Sequence, residues 1–401
     1  MWKLLLGSLL AILPLTAQTP SWTGLVEGTD QFTLDLYKAI SPAPGNLIIS
    51  PFSLSTALAI PYVGAKGRTA QEMQRVLYYP QVGGAALAQI FTDLADHLSS
   101  DKGEGLELRI ARSLWVQEDL SLAHPFQKVM EETFRGGLQE VDFKMPKIAR
   151  REINAWVKEE TGGRITDLMP EGSVTPADRM ISVSALYLRA NWTLPFDPRK
   201  TQDEPFSISP SQQIKTPLMH GQMRLPHLAG DRLEAIALPY EGGKEGVQLA
   251  MLILLPKTGE LGEFEQALSL DLLKGILEQM SLKEVAVTLP RFRMSTRLYA
   301  KDVLEGLGMT TPFSRQADFS GIDGGKGLQL NAAIHQAYID VDEYGTEATA
   351  ASAVSVGVTS APAKESEVAF VADHPFLTVV LDAGSGQILF IGRVENPSSE
   401  V

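Results

Sequence analysis

At 401 residues and 43.6 kDa, with 44% hydrophobic and 21% charged residues, the chain can bury a large core, and no Pro/Gly-rich or single-sign block divides it. A formal net charge of −13 argues against nucleic acid or an anionic membrane as partner. The absence of cysteine excludes disulfides, thiolate metal sites and cysteine catalysis, and His97, His124, His220, His227, His335 and His374 form no HExxH or closely spaced ligand pair, so neither metal nor cofactor is expected.

Lys3, an apolar run from Leu4 to Leu15 and Ala17 before Gln18 read as an export signal, removed near Ala17 to Thr19. The run is too short to span a bilayer, and no later membrane segment follows. The expectation is a secreted or periplasmic protein with a signal peptide over 1–19 and a single domain over 20–401.

Helical spacing of apolar residues predicts helices over Thr29–Ala39, Ser53–Val63, Ala70–Leu77 and Ala85–Leu98, and alternation predicts a strand over Leu106–Val116. Phe126–Phe134 and Ile148–Glu160 return to helix. Just before and within the second of these, Lys144, Lys147, Arg150 and Arg151 form a modest basic patch that reads as a solvated face. Strands are predicted over Met180–Leu188, Ala235–Leu238, Leu249–Leu255 and Val285–Leu289. Helices follow over Asp271–Met280 and Ala300–Leu307, the latter stopped by Gly308. Phe376–Leu381 and Ile388–Val394 read as a hairpin across Asp382–Gly386. Asn191-Trp192-Thr193 fits the glycosylation acceptor pattern, but Trp192 is expected to pack and disfavour modification. There is no G-x-S-x-G elbow, and Gly384-Ser385-Gly386 is explained as a turn, so no catalytic triad is expected.

Between these elements, VDEYGTEATAASAVSVGVTSAPAKESEVAFVADHPF from Val341 to Phe376 stands apart. A stretch of this length without regular periodicity, inside a domain, signals a functional loop or disorder. Its tiny residues suit a helix, a strand or a packed slot equally well.

Glu343, Gly345, Thr346, Glu347, Ala348, Thr349, Ala350, Ala351 and Ser352 resemble the proximal hinge of a serpin reactive-centre loop. Asp373-His374-Pro375-Phe376 with Ile388, Leu389, Phe390, Gly392, Arg393, Val394, Asn396 and Pro397 resembles that family's C-terminal signature. The likeness extends through Asn46–Ser55, Gly64–Thr69, Asn154–Val157, Ala185–Tyr187, Leu238–Tyr240, Leu289–Phe292 and Ala317–Ile322. It implies a mixed α+β serpin fold with three β-sheets, about eight or nine helices and an exposed reactive-centre loop at about 343–368.

The resemblance also implies a mechanism: a protease cleaves the loop, and its N-terminal half inserts as a strand of the central sheet while the acylated protease is dragged across the molecule. Insertion requires small hinge side chains without proline. Ala348, Ala350 and Ser352, or their alternating neighbours, meet this, with the Thr346 hydroxyl buried on a partner and the Glu347 charge on the solvent side. Ser50, Ser53, Ser184 and His335 match the shutter beneath the sheet. Ser184 stands where the family usually has asparagine, which leaves open whether the gate is loosened or water supplies the missing bond. Trp192, Arg291 and Glu343 match the breach, Arg291 and Glu343 forming a charged latch. Counting from the hinge puts the reactive bond between Thr359 and Ser360, with Val358–Thr359 as the alternative. Small β-branched residues there suit a shallow pocket, so the expected partner is an elastase-like or subtilisin-like serine protease bound by a monomer. A non-inhibitory carrier or chaperone is the competing expectation.

Overall fold

The periodic segments become tertiary structure in the computed structural model, which describes residues 21–99, 105–242, 247–257, 259–347 and 368–399. The helices are α1 (Thr23–Ile40), α2 (Pro51–Gly64), α3 (Gly67–Val76), α4 (Gly84–Ser99), α5 (His124–Glu132), α6 (Pro146–Glu160), α7 (Leu261–Ala267), α8 (Leu270–Gln279), α9 (Ala300–Gly306) and α10 (Ser320–Asp323). Local chemistry sets several ends. Ser50 caps α2, its Oγ accepting from Ser53 N–H at 3.3 Å with Pro51 following at the first helical position. Past α9, Gly308 takes φ +103°, where glycine is favoured. The described residues hold ten α-helices, slightly more than expected, because α10 has four residues and α7 seven, too short to show periodicity.

The strands are β1 (Leu47–Ile49), β2 (Leu106–Gln117), β3 (Leu138–Val141), β4 (Met180–Asn191), β5 (Gln202–Ser209), β6 (Gln212–Ala229), β7 (Leu233–Pro239) and β8 (Leu249–Pro256). They continue with β9 (Ser281–Pro290), β10 (Phe292–Tyr299), β11 (Ala332–Val341), β12 (Gly345–Thr346), β13 (Val368–Val371), β14 (Phe376–Asp382) and β15 (Ile388–Val394). One sheet runs β10-β11-β12-β4-β2-β3. The other runs β1-β15-β14-β8-β7-β6-β9-β13, with β5 on β6. The expected three sheets therefore appear as two hydrogen-bonded networks. The 18-residue β6 pairs with β5 and β9 along most of its length and with β7 at its end, joining two groups of strands through one ladder.

At the centre of the six-stranded sheet β4 is buried on both faces, which is why it reads as mainly apolar, interrupted by the small Ser182 and Ser184. On one face Met180, Leu186, Leu188 and Ala190 join the main core with α2 and the second sheet. On the other, Ile181, Val183 and Ala185 pack with Ala111, Trp115 and Ile334 against Ala149, Ile153 and Val157 of α6. At the far end of the second sheet, Arg393 is buried against Glu265 at 3.1 Å and donates to the carbonyls of Ser41, Ala43 and Gly45. Tyr37 Oη donates to the same carboxylate at 2.6 Å.

Candidate functional site

The candidate site lies where β4 and β11 part. Lower down they pair directly and in parallel, from Ala332 beside Ile181 to Ala337 beside Leu186. At the top they separate around β12, which pairs antiparallel to both: Gly345 opposite Asn191, and Thr346 opposite Ala190 and Val341. Only glycine fits at 345: φ is +154°, and a Cβ would sit 2.0 Å from the Ala190 carbonyl oxygen. Thr346 is fully buried, its hydroxyl 2.6 Å from Tyr240 Oη.

Around this opening, Trp192 stacks on Tyr240 with ring centroids 4.4 Å apart. Its indole Nε1–H donates to the Asp342 carbonyl at 3.0 Å, and its backbone N–H to Tyr344 O at 2.7 Å. Arg291, following β9, donates from Nε and Nη2 to Glu343 Oε1 at 2.8 and 2.5 Å, and Thr201 Oγ1 donates to the same oxygen. Burial opposes ionisation of Glu343, but these donors outweigh it and hold the carboxyl below its ordinary range. Trp192, Arg291 and Glu343 are thus brought together. Asn191 of the acceptor pattern directs its amide to Glu241 at 3.0 Å, beside the buried indole.

Deeper between the strands, His335 on β11 is fully buried. Ser50 N–H donates to its Nε2 at 2.9 Å, and Ser184 Oγ lies 3.0 Å from its Nδ1. A backbone N–H can only donate, so Nε2 is the bare nitrogen and Nδ1–H donates to Ser184. Burial pushes the imidazole down to about 3, in keeping with this neutral form. Ser184 therefore makes a direct bond despite its short side chain, because β4 and β11 lie side by side here. Ser53 touches the cluster only through its N–H to Ser50 Oγ, and its own hydroxyl has no partner among the described residues.

Glu347 departs from expectation. Its side chain is 2% exposed and faces Arg164 Nε at 2.9 Å, not solvent. Its backbone N–H still bonds to Asp340 O, so the side chain remains beneath the segment that follows α6. Arg164 carried no signal in the sequence; its partner lies far along the chain. Ala348, Thr349, Ala350, Ala351, Ser352, Val358, Thr359, Ser360 and the signal segment lie outside the described residues. Two of the four basic-patch residues are ion-paired, Lys144 with Asp119 at 2.5 Å and Arg150 with Asp167 at 3.0 Å, while Arg151 donates to the Lys147 carbonyl at 3.2 Å. Ser385 is tied by its N–H and hydroxyl to Asp382, both at 2.7 Å, in the β14–β15 turn. Among the described residues no group of three His, Asp or Glu could hold a metal, and no helix is long and apolar enough to cross a membrane.

A family model described as serpin (serine protease inhibitor) matches residues 27–397. A serpin-like protein of Thermococcus kodakarensis is 40% identical over 375 residues, covering 93% of this chain and 86% of its own. The leukocyte elastase inhibitor of Bos taurus is 34% identical over 382 residues, 92% of this chain and 98% of its own. The crystal structure of uncleaved ovalbumin superposes with a TM-score of 0.83 at 25% identity, over 93% of this chain and all of that one. The chain belongs to the serpins, a family of inhibitors rather than catalysts.

Proposed function

We propose that this serpin is an irreversible suicide inhibitor of elastase-like or subtilisin-like serine proteases. The observation that carries the reading is Gly345–Thr346, already seated between β4 and β11 and paired to both. Continued on insertion, that antiparallel register would bring Ser352 between Ser184 and His335, where it would take over their hydrogen bond. The ladder ends at Ala332 and Met180, which the inserted strand would meet with Ser355 and Val356, so in this reading the Thr359–Ser360 bond would lie just beyond the sheet. In the inserted strand, parity with Thr346 would turn Ala348, Ala350, Ser352, Val354 and Val356 toward the main core, and Thr349, Ala351, Ala353 and Ser355 toward α6. Every residue so placed is small or β-branched and none is charged.

The chemistry is that of an interrupted hydrolysis. The protease's serine oxygen attacks the Thr359 carbonyl carbon, the Thr359–Ser360 C–N bond breaks, and Ser360 leaves as an amine carrying the proton. The acylated Thr359 then travels with the inserting strand. Some ten new ladder residues, at about 1 kcal/mol net per hydrogen bond, supply on the order of 10 kcal/mol to drive this before water reaches the ester. A relative named for leukocyte elastase, together with small residues at the bond, supports the choice of target. The working form in this reading is an exported monomer beginning near residue 20.

Mixing the mature protein with pancreatic elastase tests the proposal. The expected result is an SDS-stable adduct, with mass spectrometry placing the cut after Thr359. Clean cleavage without an adduct overturns inhibition of this target, and a stable adduct with a trypsin-like enzyme cut at Lys364 overturns the register.

A further inference from the structure

The hinge leaves the sheet at Glu347 in an unusual way. Its N–H donates to Asp340 O at 2.8 Å, so the backbone still belongs to the β11 ladder. Its φ is nevertheless +51°, a left-handed conformation disfavoured for any residue with a branched Cα. Further insertion requires this residue to become extended, so Glu347 is the pivot at which the ladder stops. Its carboxylate is turned beneath the segment after α6, where burial opposes its charge; Arg164 and the Tyr187 hydroxyl lie close enough to offset this in part, but neither oxygen has a hydrogen bond of good geometry among the described residues.

The cation in contact is Arg164, at 2.9 Å. It closes the turn that ends α6, where Gly162 and Gly163 take φ of +60° and +84° and Gly163 N–H returns to Lys158 O at 2.7 Å. That turn fixes the arginine over the opening, with its side chain 53% exposed while the glutamate is sealed. Tyr187 of β4, Tyr338 and Asp340 of β11, and Arg293 of β10 face the same group. Arg293 is itself paired with Asp340 at 2.7 Å, which leaves Arg164 as the cation matched to Glu347. A buried carboxylate with poor hydrogen bonding depends on such a partner to stay where it is.

We propose that Arg164 is a positioning residue for the reactive loop: its ion pair with Glu347 keeps Gly345–Thr346 seated in the sheet and holds the loop at the start of insertion. The consequence for inhibition rests on the reading above; the seating itself does not. Without Arg164 the carboxylate turns to water and draws Thr346 and Gly345 from between β4 and β11. A cleaved loop must then find the opening again while the acyl-enzyme hydrolyses.

Two measurements on the full mature protein test this with Arg164→Ala, Arg164→Lys and Glu347→Gln. In hydrogen exchange of the uncleaved protein, Arg164→Ala should speed exchange of the Trp192 and Glu347 amides at least about tenfold. Arg164→Lys should restore much of the protection, and in a Glu347→Gln background Arg164→Ala should add nothing. In titration of elastase, Arg164→Ala should raise the moles of inhibitor consumed per mole of enzyme several-fold, again rescued by lysine. Unchanged exchange in Arg164→Ala overturns the seating whatever the protease assay shows. Faster exchange with unchanged stoichiometry overturns the role in insertion. If the unmodified protein forms no adduct, the inhibitory reading fails, and the exchange data still decide whether Arg164 seats the hinge.

Discussion

Replacing His335 with glutamine tests the shutter geometry through its pH dependence. The imidazole is fully buried and pushed down to about 3, against an ordinary value near 6.5, because a charged ring would lose solvation and could not accept from Ser50 N–H. The sign follows directly. Below pH 6.5 the unfolded chain binds a proton that the folded chain refuses. The stabilisation is therefore complete above that pH and declines by about 1.4 kcal/mol per unit as the pH falls toward 3. At pH 5 the loss is about 2 kcal/mol. Glutamine can offer Oε1 to Ser50 N–H but takes up no proton; losing the Nδ1–H bond to Ser184 costs it about 1 kcal/mol at every pH. Urea unfolding followed by tryptophan fluorescence at pH 8, 7, 6 and 5 measures the difference between the two proteins and cancels the other acid-sensitive groups. The original protein should be the more stable at pH 8 and the less stable at pH 5. A difference constant to within about 0.5 kcal/mol over that range would refute a buried neutral His335.

Further substitutions probe the remaining parts. Ser352→Arg would force a charge between Ser184 and His335 on insertion; it should leave the uncleaved protein's unfolding midpoint unchanged while converting inhibitor to substrate, read as loss of the SDS-stable adduct with elastase. Gly345→Ala places a methyl group 2.0 Å from the Ala190 carbonyl oxygen and should expel the hinge, exposing the Trp192 amide to exchange and costing about 1–3 kcal/mol in urea unfolding. Arg393→Ala strands the Glu265 carboxylate and the carbonyls of Ser41, Ala43 and Gly45, and should lower stability by about 3–5 kcal/mol.

Much of the fold is legible along the chain. The amphipathic pattern of α4, the unbroken apolar run of β8 and the mainly apolar β4 mark their class, since burial on one or two faces leaves a direct imprint on residue order. By contrast, β5 and β6 carry Pro205, Pro217, Gly221 and Pro226 with irregular burial, and pairing of β5 with β6 and of β6 with β9 makes them strands where local preference would not. The solvent-side expectation for Glu347 failed for a related reason: side-chain charge is local, but the lid over it comes from the end of α6.

The small-residue hinge, its freedom from proline and the C-terminal hairpin could be read from the sequence by itself, because size, backbone preference and spacing are properties of neighbouring residues. Only the tertiary structure decided that Ser184 reaches His335, that Thr201 joins Arg291 on Glu343, and that Arg164 meets Glu347. Those contacts depend on the register and separation of β4 and β11 and on where α6 ends above them, quantities set by the packing of the whole chain.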